Sequence, residues 1–264
     1  MASKQFKQQR IKELEEKGEF NTDLISHSLD NCAVFEQDFE YLPKNLGFKF
    51  LSSTTRGLMT IFGPLVNFFG FQLKVKGREN IKGIKKAISV SNHVLNLDCL
   101  IVRQGLRRKR VYFTVAPYNC KKNIGGTILK SGGVLPIDYS LSGSKKFKDA
   151  VNECLNKNSI VHFWPEQVLW NCYEKPRPLK RGAFLYASEF NVPIIPFFLC
   201  FRNPSGVRKV IRSKRKMVTL FIEKPIYPKP ELSVRENSIY LMEETQKVWQ
   251  GVYNKFYGEN NNGR

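Results

Sequence analysis

Cysteine pairs at metal-binding or redox spacing are missing from these 264 residues. The six cysteines (Cys32, Cys99, Cys120, Cys154, Cys172 and Cys200) are scattered and no two form a C-x-x-C, which argues against a zinc ribbon and a dithiol redox motif. Histidine is equally sparse, with His27, His93 and His162 the only three. No apolar run reaches the roughly 20 residues that span a bilayer; residues 57–73 hold seventeen uncharged residues and include Pro64. The first twenty residues contain no apolar stretch of signal-peptide type, so the expected location is cytoplasmic, with thiols reduced. Internal repeats are absent, and only the tail, residues 258–264, is of low complexity. Acidic residues are in deficit: 23 against 43 Lys and Arg, a formal charge of +20. That excess predicts attraction to an anionic partner, either nucleic acid or an anionic membrane surface. A basic nucleic-acid-binding protein is the alternative from a different class. It has charge alone in its favour, since no zinc finger, RNP-type aromatic pattern or recognition helix is visible.

Apolar residues make up 42% of the chain, enough for a sizeable core. From residue 74 onward, short β-rich runs recur at residues 87–91, 111–115, 133–137, 159–164, 193–200 and 217–222. Helical patterns lie between most of them, at 98–107, 144–156 and 181–190, and a last amphipathic helix spans 233–257. Strands alternating with helices predict an α/β fold with a mixed, mainly parallel sheet flanked by helices, its chemistry at strand C-terminal ends. The expected division is a helical, membrane-associating segment at residues 1–73 and an α/β domain at 74–264. Residues 1–20 read as an exposed helix of alternating charge. Residues 57–73 suit either a helix lying in the membrane interface or a buried core hairpin, with Pro64 as an interruption. In the interfacial reading, Phe62, Phe68, Phe69 and Phe71 face lipid, flanked by Lys49, Arg56, Lys74 and Lys76.

The chemistry-bearing residues cluster at strand ends. After residues 87–91 comes Ser91-Asn92-His93-Val94-Leu95-Asn96-Leu97-Asp98. Residues five apart on one helix point about 140° away from each other. His93 and Asp98 meet only if His93 sits in the turn and Asp98 in the first helical turn. A carboxylate bonded to one imidazole nitrogen fixes the tautomer and lets the other act as a base. A structural histidine bonded to a helix terminus is the plainer meaning of that pair alone. Residues 159–164 end in Pro165-Glu166-Gln167, with Arg177, Lys180 and Arg181 close behind, a set suited to an acceptor with hydroxyl and anionic groups. Gly132-Gly133 permits close backbone approach and offers N–H donors to an oxyanion, or else is a plain turn. Arg107–Arg110 and the run 202–216, seven cations without an acid, suit anionic lipid or the phosphates of a nucleotide-bearing thioester. His27 shows no partner, and His162 is expected inside the sheet.

In order and spacing these segments resemble the glycerolipid (lysophospholipid, PlsC-type) acyltransferase family over roughly residues 75–225. His93 to Asp98 matches the family's H-x-x-x-x-D, and residues 132–138 its second block. Trp164-Pro165-Glu166-Gln167 stands at its F-P-E-G, and Val192-Pro193-Ile194-Ile195-Pro196 matches V-P-I-I-P letter for letter. The resemblance implies a glycerol-phosphate-acyltransferase-like fold. It also implies acyl transfer from acyl-CoA or acyl carrier protein, as co-substrate, to the hydroxyl of a lysolipid acceptor, with 1-acylglycerol-3-phosphate the first candidate. His93 would be general base with Asp98 as partner, and Gly132, Gly133, Glu166, Gln167, Arg177, Lys180 and Arg181 would contact substrate. No metal or resident cofactor is implied, and the expected site of action is the cytoplasmic face of a membrane, peripherally bound. Two departures concern the acceptor. The family's second-block Arg is replaced by Pro136-Ile137-Asp138, and the G-T-R continuation by Gln167-Val168-Leu169. A fold relative that binds lipid without transferring acyl groups is the remaining alternative.

Overall fold

Short, continuously buried apolar runs set the architecture. In the computed structural model, which describes residues 4–261 apart from Ser26, Gln37 and 207–215, seven strands form one sheet. They are β1 (Lys74–Lys76), β2 (Ala87–Val90), β3 (Val111–Val115), β4 (Val134–Pro136), β5 (Ile160–Phe163), β6 (Ile194–Arg202) and β7 (Met217–Ile222), in the order β1-β7-β6-β2-β5-β3-β4. Neighbours in the block β6-β2-β5-β3-β4 run parallel, whereas β7 is antiparallel to β6 and pairs parallel with β1. The fold is the expected mixed, mainly parallel α/β arrangement. The three-residue strand β1, with its two exposed lysines, carries no readable alternation and escaped the sequence.

Both faces are buried, as a parallel sheet requires. On one face Ile88, Val90, Val161, Phe163, Ile194 and Phe198 pack under α5 (Leu141–Asn156), α6 (Gly182–Glu189) and the long C-terminal α7 (Val234–Asn261). On the other, Ala87, Phe113, Ile195, Phe197 and Leu220 meet Ile101 and Val102 of α3 (Asp98–Gly105). A further helix, α4 (Ile124–Ser131), opens at Asn123, whose side chain accepts a hydrogen bond from the Gly126 N–H. The Gly-Gly pair inside it hid it from the sequence pattern.

The N-terminal region departs from expectation twice. Helix α1 (Lys4–Glu16) is not an exposed helix: Ile11 and Leu14 are buried against Val168 and Trp170, with Phe20 and Leu24 alongside. Helix α2 (Leu46–Phe71) begins well before residue 57 and runs unbroken through Pro64. Asn45 caps its start by accepting from the Phe48 N–H at 2.7 Å. One side of α2 packs on α3 and α4, burying Gly63 and Asn67. The other exposes Phe50, Leu58, Ile61, Phe62, Leu65, Phe68 and Phe69. No helix among the described residues is long and apolar enough to cross a membrane. The basic run 202–216 lies for the most part outside the described residues.

Candidate active site

The loops that leave the C-terminal ends of β2, β5, β3 and β4 surround one cleft of about 850 Å³. His93 lies in the turn after β2, and Asp98 is the first residue of α3. The imidazole Nδ1 and the Asp98 Oδ2 are 2.7 Å apart, with the carboxylate nearly removed from solvent and the imidazole one-fifth exposed. A carboxylate accepts only, so Nδ1 carries the proton and Nε2 is left as the free lone pair. The imidazole stacks against Trp164, with centroids 4.8 Å apart.

Backbone anchors hold that turn from both sides. Asn92 is buried, and its side-chain amide exchanges two hydrogen bonds with the Leu199 backbone of β6, at 2.8 and 3.1 Å, tying the turn to that strand beyond the end of the β2–β6 pairing. The His93 N–H donates to Glu166 Oε2 at 3.1 Å, and its carbonyl accepts from the Trp170 N–H. Glu166 in turn is gripped by Arg177, whose Nε, Nη2 and backbone N–H all donate to its carboxylate. Arg177 also donates to the carbonyls of Val168 and Phe20. Glu166 and Arg177 are both shut off from solvent.

This placement corrects two of the expected substrate contacts. Glu166 and Arg177 bond to each other and to the chain, not to the cleft, because two opposite charges this deeply buried satisfy one another. The glycine pair is corrected as well: the Gly132 N–H is spent on Ile128 O and the Gly133 N–H on Lys130 O, closing the end of α4, so neither is an oxyanion donor. Gly133 serves packing instead. Its φ is +95°, and a Cβ there would fall 1.9 Å from Arg56 Nη2. Of the expected residues, His93, Asp98, Gly132, Gln167 and Lys180 line the cleft, whereas Gly133, Glu166, Arg177 and Arg181 do not. Gln167 occupies the left-handed region at φ +66°, which explains why glycine suits that position of an F-P-E-G turn.

Sequence reasoning missed several lining residues. Arg103, one turn beyond Asp98, reaches the cleft, donates to Gly132 O at 2.8 Å and lies over the Phe113 ring. Its signal was a lone cation in the apolar stretch Cys99-Leu-Ile-Val-Arg. His27, expected to be without a partner, stacks on Tyr118 at 4.0 Å and also lines the cleft. His162 is buried beneath the site, with Ser89 Oγ 2.9 Å from Nδ1 and Ser91 Oγ 3.1 Å from Nε2. Burial, with repulsion from His93, pushes its pKa down to about 3, so it is neutral at physiological pH. Cys99 is raised to about 12 by burial first and the neighbouring Asp98 second, and is a protonated thiol rather than a nucleophile. Among the described residues no three His, Cys, Asp or Glu side chains group as metal ligands.

Comparison with known proteins adds to this geometry. Residues 72–199 match the family described as Acyltransferase. The 1-acyl-sn-glycerophosphate (LPA) acyltransferase PlsC from Thermotoga maritima shares the fold, with a TM-score of 0.54 over 82% of this chain and 85% of that one, at 16% identity. No curated protein matches the chain by sequence.

Two outcomes are expected of the anchors. Arg177→Met leaves Glu166 buried without its partner and should cost about 3–5 kcal/mol in urea denaturation; a loss under about 1 kcal/mol would show that the pair does not hold the turn. His162 binds a proton in the unfolded chain below about pH 6.5 but in the folded chain only near pH 3. Folding stability therefore falls as pH drops through that window, by up to about 1.4 kcal/mol per unit. The stability deficit of His162→Gln relative to wild type should narrow by roughly 2 kcal/mol between pH 7 and pH 5. A deficit that stays constant with pH contradicts a neutral buried imidazole.

Proposed function

We propose that this chain moves a fatty acyl group from a thioester donor to the hydroxyl of a lysophospholipid-type acceptor, a reading supported by the match of residues 72–199 to the family described as Acyltransferase. The carrying observation is the His93–Asp98 hydrogen bond on the wall of the cleft. His93 Nε2 takes the acceptor's hydroxyl proton as the oxygen attacks the thioester carbonyl carbon. Asp98 stabilises the imidazolium that forms. The tetrahedral oxyanion then collapses and the C–S bond breaks. The imidazolium returns its proton to the departing thiolate, leaving an ester and a free thiol. A thiolate leaves readily, so no acyl-enzyme is needed, and the protonated Cys99 stays out of the reaction.

Acceptor and donor follow from what else lines the cleft. The Thermotoga protein is by name a 1-acyl-sn-glycerophosphate acyltransferase, and 1-acylglycerol-3-phosphate is the acceptor proposed here. Lys180 and Arg103 on the cleft lining supply cations for its phosphate, in place of the buried Arg177. The donor is acyl-CoA or acyl carrier protein. The outward face of α2 supports peripheral docking on an anionic membrane at its cytoplasmic face: Ile61, Phe62 and Leu65 are at least half exposed, and Lys49, Lys74 and Lys76 flank them.

Removal of a general base lowers rates by about 10²–10⁴. His93→Ala should fall within that range for thiol release from acyl-CoA with lysophosphatidate, with the thermal transition retained, and Asp98→Asn by about 10². Near-normal turnover of His93→Ala would overturn the mechanism. For docking, Ile61→Ser with Phe62→Ser removes two side chains, each worth about 1.5–3 kcal/mol when fully buried. Partition onto phosphatidylglycerol vesicles should drop at least tenfold, and unchanged partition would exclude α2 as the docking face.

A further inference from the structure

A second cavity, of about 1360 Å³, lies between α2, the later part of α3 and the loop 106–110. Of its twenty-five lining residues eleven are Lys or Arg, and none of the described residues lining it is Asp or Glu. Several of its guanidinium groups are held there by neutral partners, whereas Lys157 pairs with Glu153. Arg56 donates to Val111 O at 2.9 Å and lies 4.5 Å over the Tyr112 ring, which Arg110 also faces at 5.5 Å. Arg78 donates to Gln104 O, and its Nε is buried with no hydrogen-bond partner among the described residues. Burial pushes the Arg56 guanidinium down to about 10, with repulsion from Arg103 and Arg110 adding to it. So many like charges around one concavity repel one another at a standing cost to the fold, and a phosphorylated ligand would relieve it.

The cavity adjoins the cleft and shares part of its wall. Met59, Leu100, Arg103 and Val134 line both. From the Arg103 guanidinium to the Phe113 ring is 5.5 Å, from there to Trp164 5.9 Å, and from Trp164 to His93 4.8 Å. An extended phosphopantetheine arm can bridge that path. We propose that the basic cavity holds the phosphorylated adenosine end of a CoA thioester, which threads its arm past Arg103 so that the carbonyl reaches His93. The inference rests on acyl transfer from a thioester and names its carrier. A concave site with converging guanidinium groups and the planar faces of Phe48 and Tyr112 fits a nucleotide; an acidic carrier protein would call for a convex basic surface instead.

The test uses the full chain and a variant with three exposed arginines neutralised, Arg107→Gln, Arg108→Gln and Arg110→Gln, beside a control, Lys85→Gln with Lys86→Gln, whose side chains lie off the cavity lining. CoA affinity is measured by calorimetry, and kcat/KM is compared for acyl-CoA and the matching acyl-pantetheine, which lacks the nucleotide. The triple variant should bind CoA at least tenfold more weakly, and its kcat/KM preference for acyl-CoA over acyl-pantetheine should fall at least tenfold. The control should keep both values. Three results overturn the proposal: unchanged CoA affinity in the triple variant, an equal loss in the control, or a loss confined to phosphatidylglycerol vesicles, which would assign the cations to lipid headgroups. A selective loss with acyl carrier protein thioester as donor would overturn it too. If no acyl transfer is found with any donor, the proposed reaction fails, whereas calorimetry still decides whether the cavity binds the nucleotide.

Discussion

The ion pair between Glu166 and Arg177 is the constraint on which the site depends. It is fully buried, and its worth lies less in attraction, which desolvation largely offsets, than in what it fixes. One carboxylate oxygen accepts from the His93 N–H, so the turn after β2 and the loop after β5 are bolted to one charge. Arg177 carries the constraint outward, to Val168 O and to Phe20 O in the N-terminal segment. Lys175 and Glu15 close a second bridge over the same ground at the surface. The histidine is aimed because its backbone has no freedom, and the Asp98 bond then sets the ring.

Electrostatics divides the molecule into two regimes. At the His93 turn each buried carboxylate faces a donor: Asp98 the imidazole N–H, Glu166 the Arg177 guanidinium. His162, deprived of any such partner, is neutral instead and joins Ser89 and Ser91 as a dipole. Around α2 and the loop 106–110 the rule is reversed, and guanidinium groups crowd together against carbonyls and rings. Charges kept apart from their counter-ions at such cost are characteristic of binding surfaces.

Much of the fold was legible in the sequence, for reasons tied to particular residues. The other six strands were marked by apolar, mostly β-branched or aromatic runs, and β6, buried almost throughout, by Val192-Pro-Ile-Ile-Pro and its sequel. Strand β1 and helix α4 did not, the one too short and charged, the other opened by Ile-Gly-Gly. In the site, the spacing of His93 and Asp98 stated the geometry under which they meet. The roles of Glu166 and Arg177 were unreadable, because nothing in a string distinguishes a cation facing a cleft from one facing a carboxylate eleven residues away. Gly132 and Gly133 misled for a similar reason: a glycine pair marks an unusual backbone, and whether its N–H groups are free depends on where the preceding helix ends.

Helix α2 touches three environments at once. Its outer side presents phenylalanines, its inner side carries Arg56, and Met59 between them faces both cavities. Gly133 admits Arg56 so closely that the guanidinium acts as a peg in the sheet edge. Ser52 on the Ser131 carbonyl and Asn67 on Leu100 and Gln104 fasten the rod on either side of that peg. Whatever presses on its apolar side is therefore borne by α3 and α4 together, which makes the helix a fixed wall shared by both chambers.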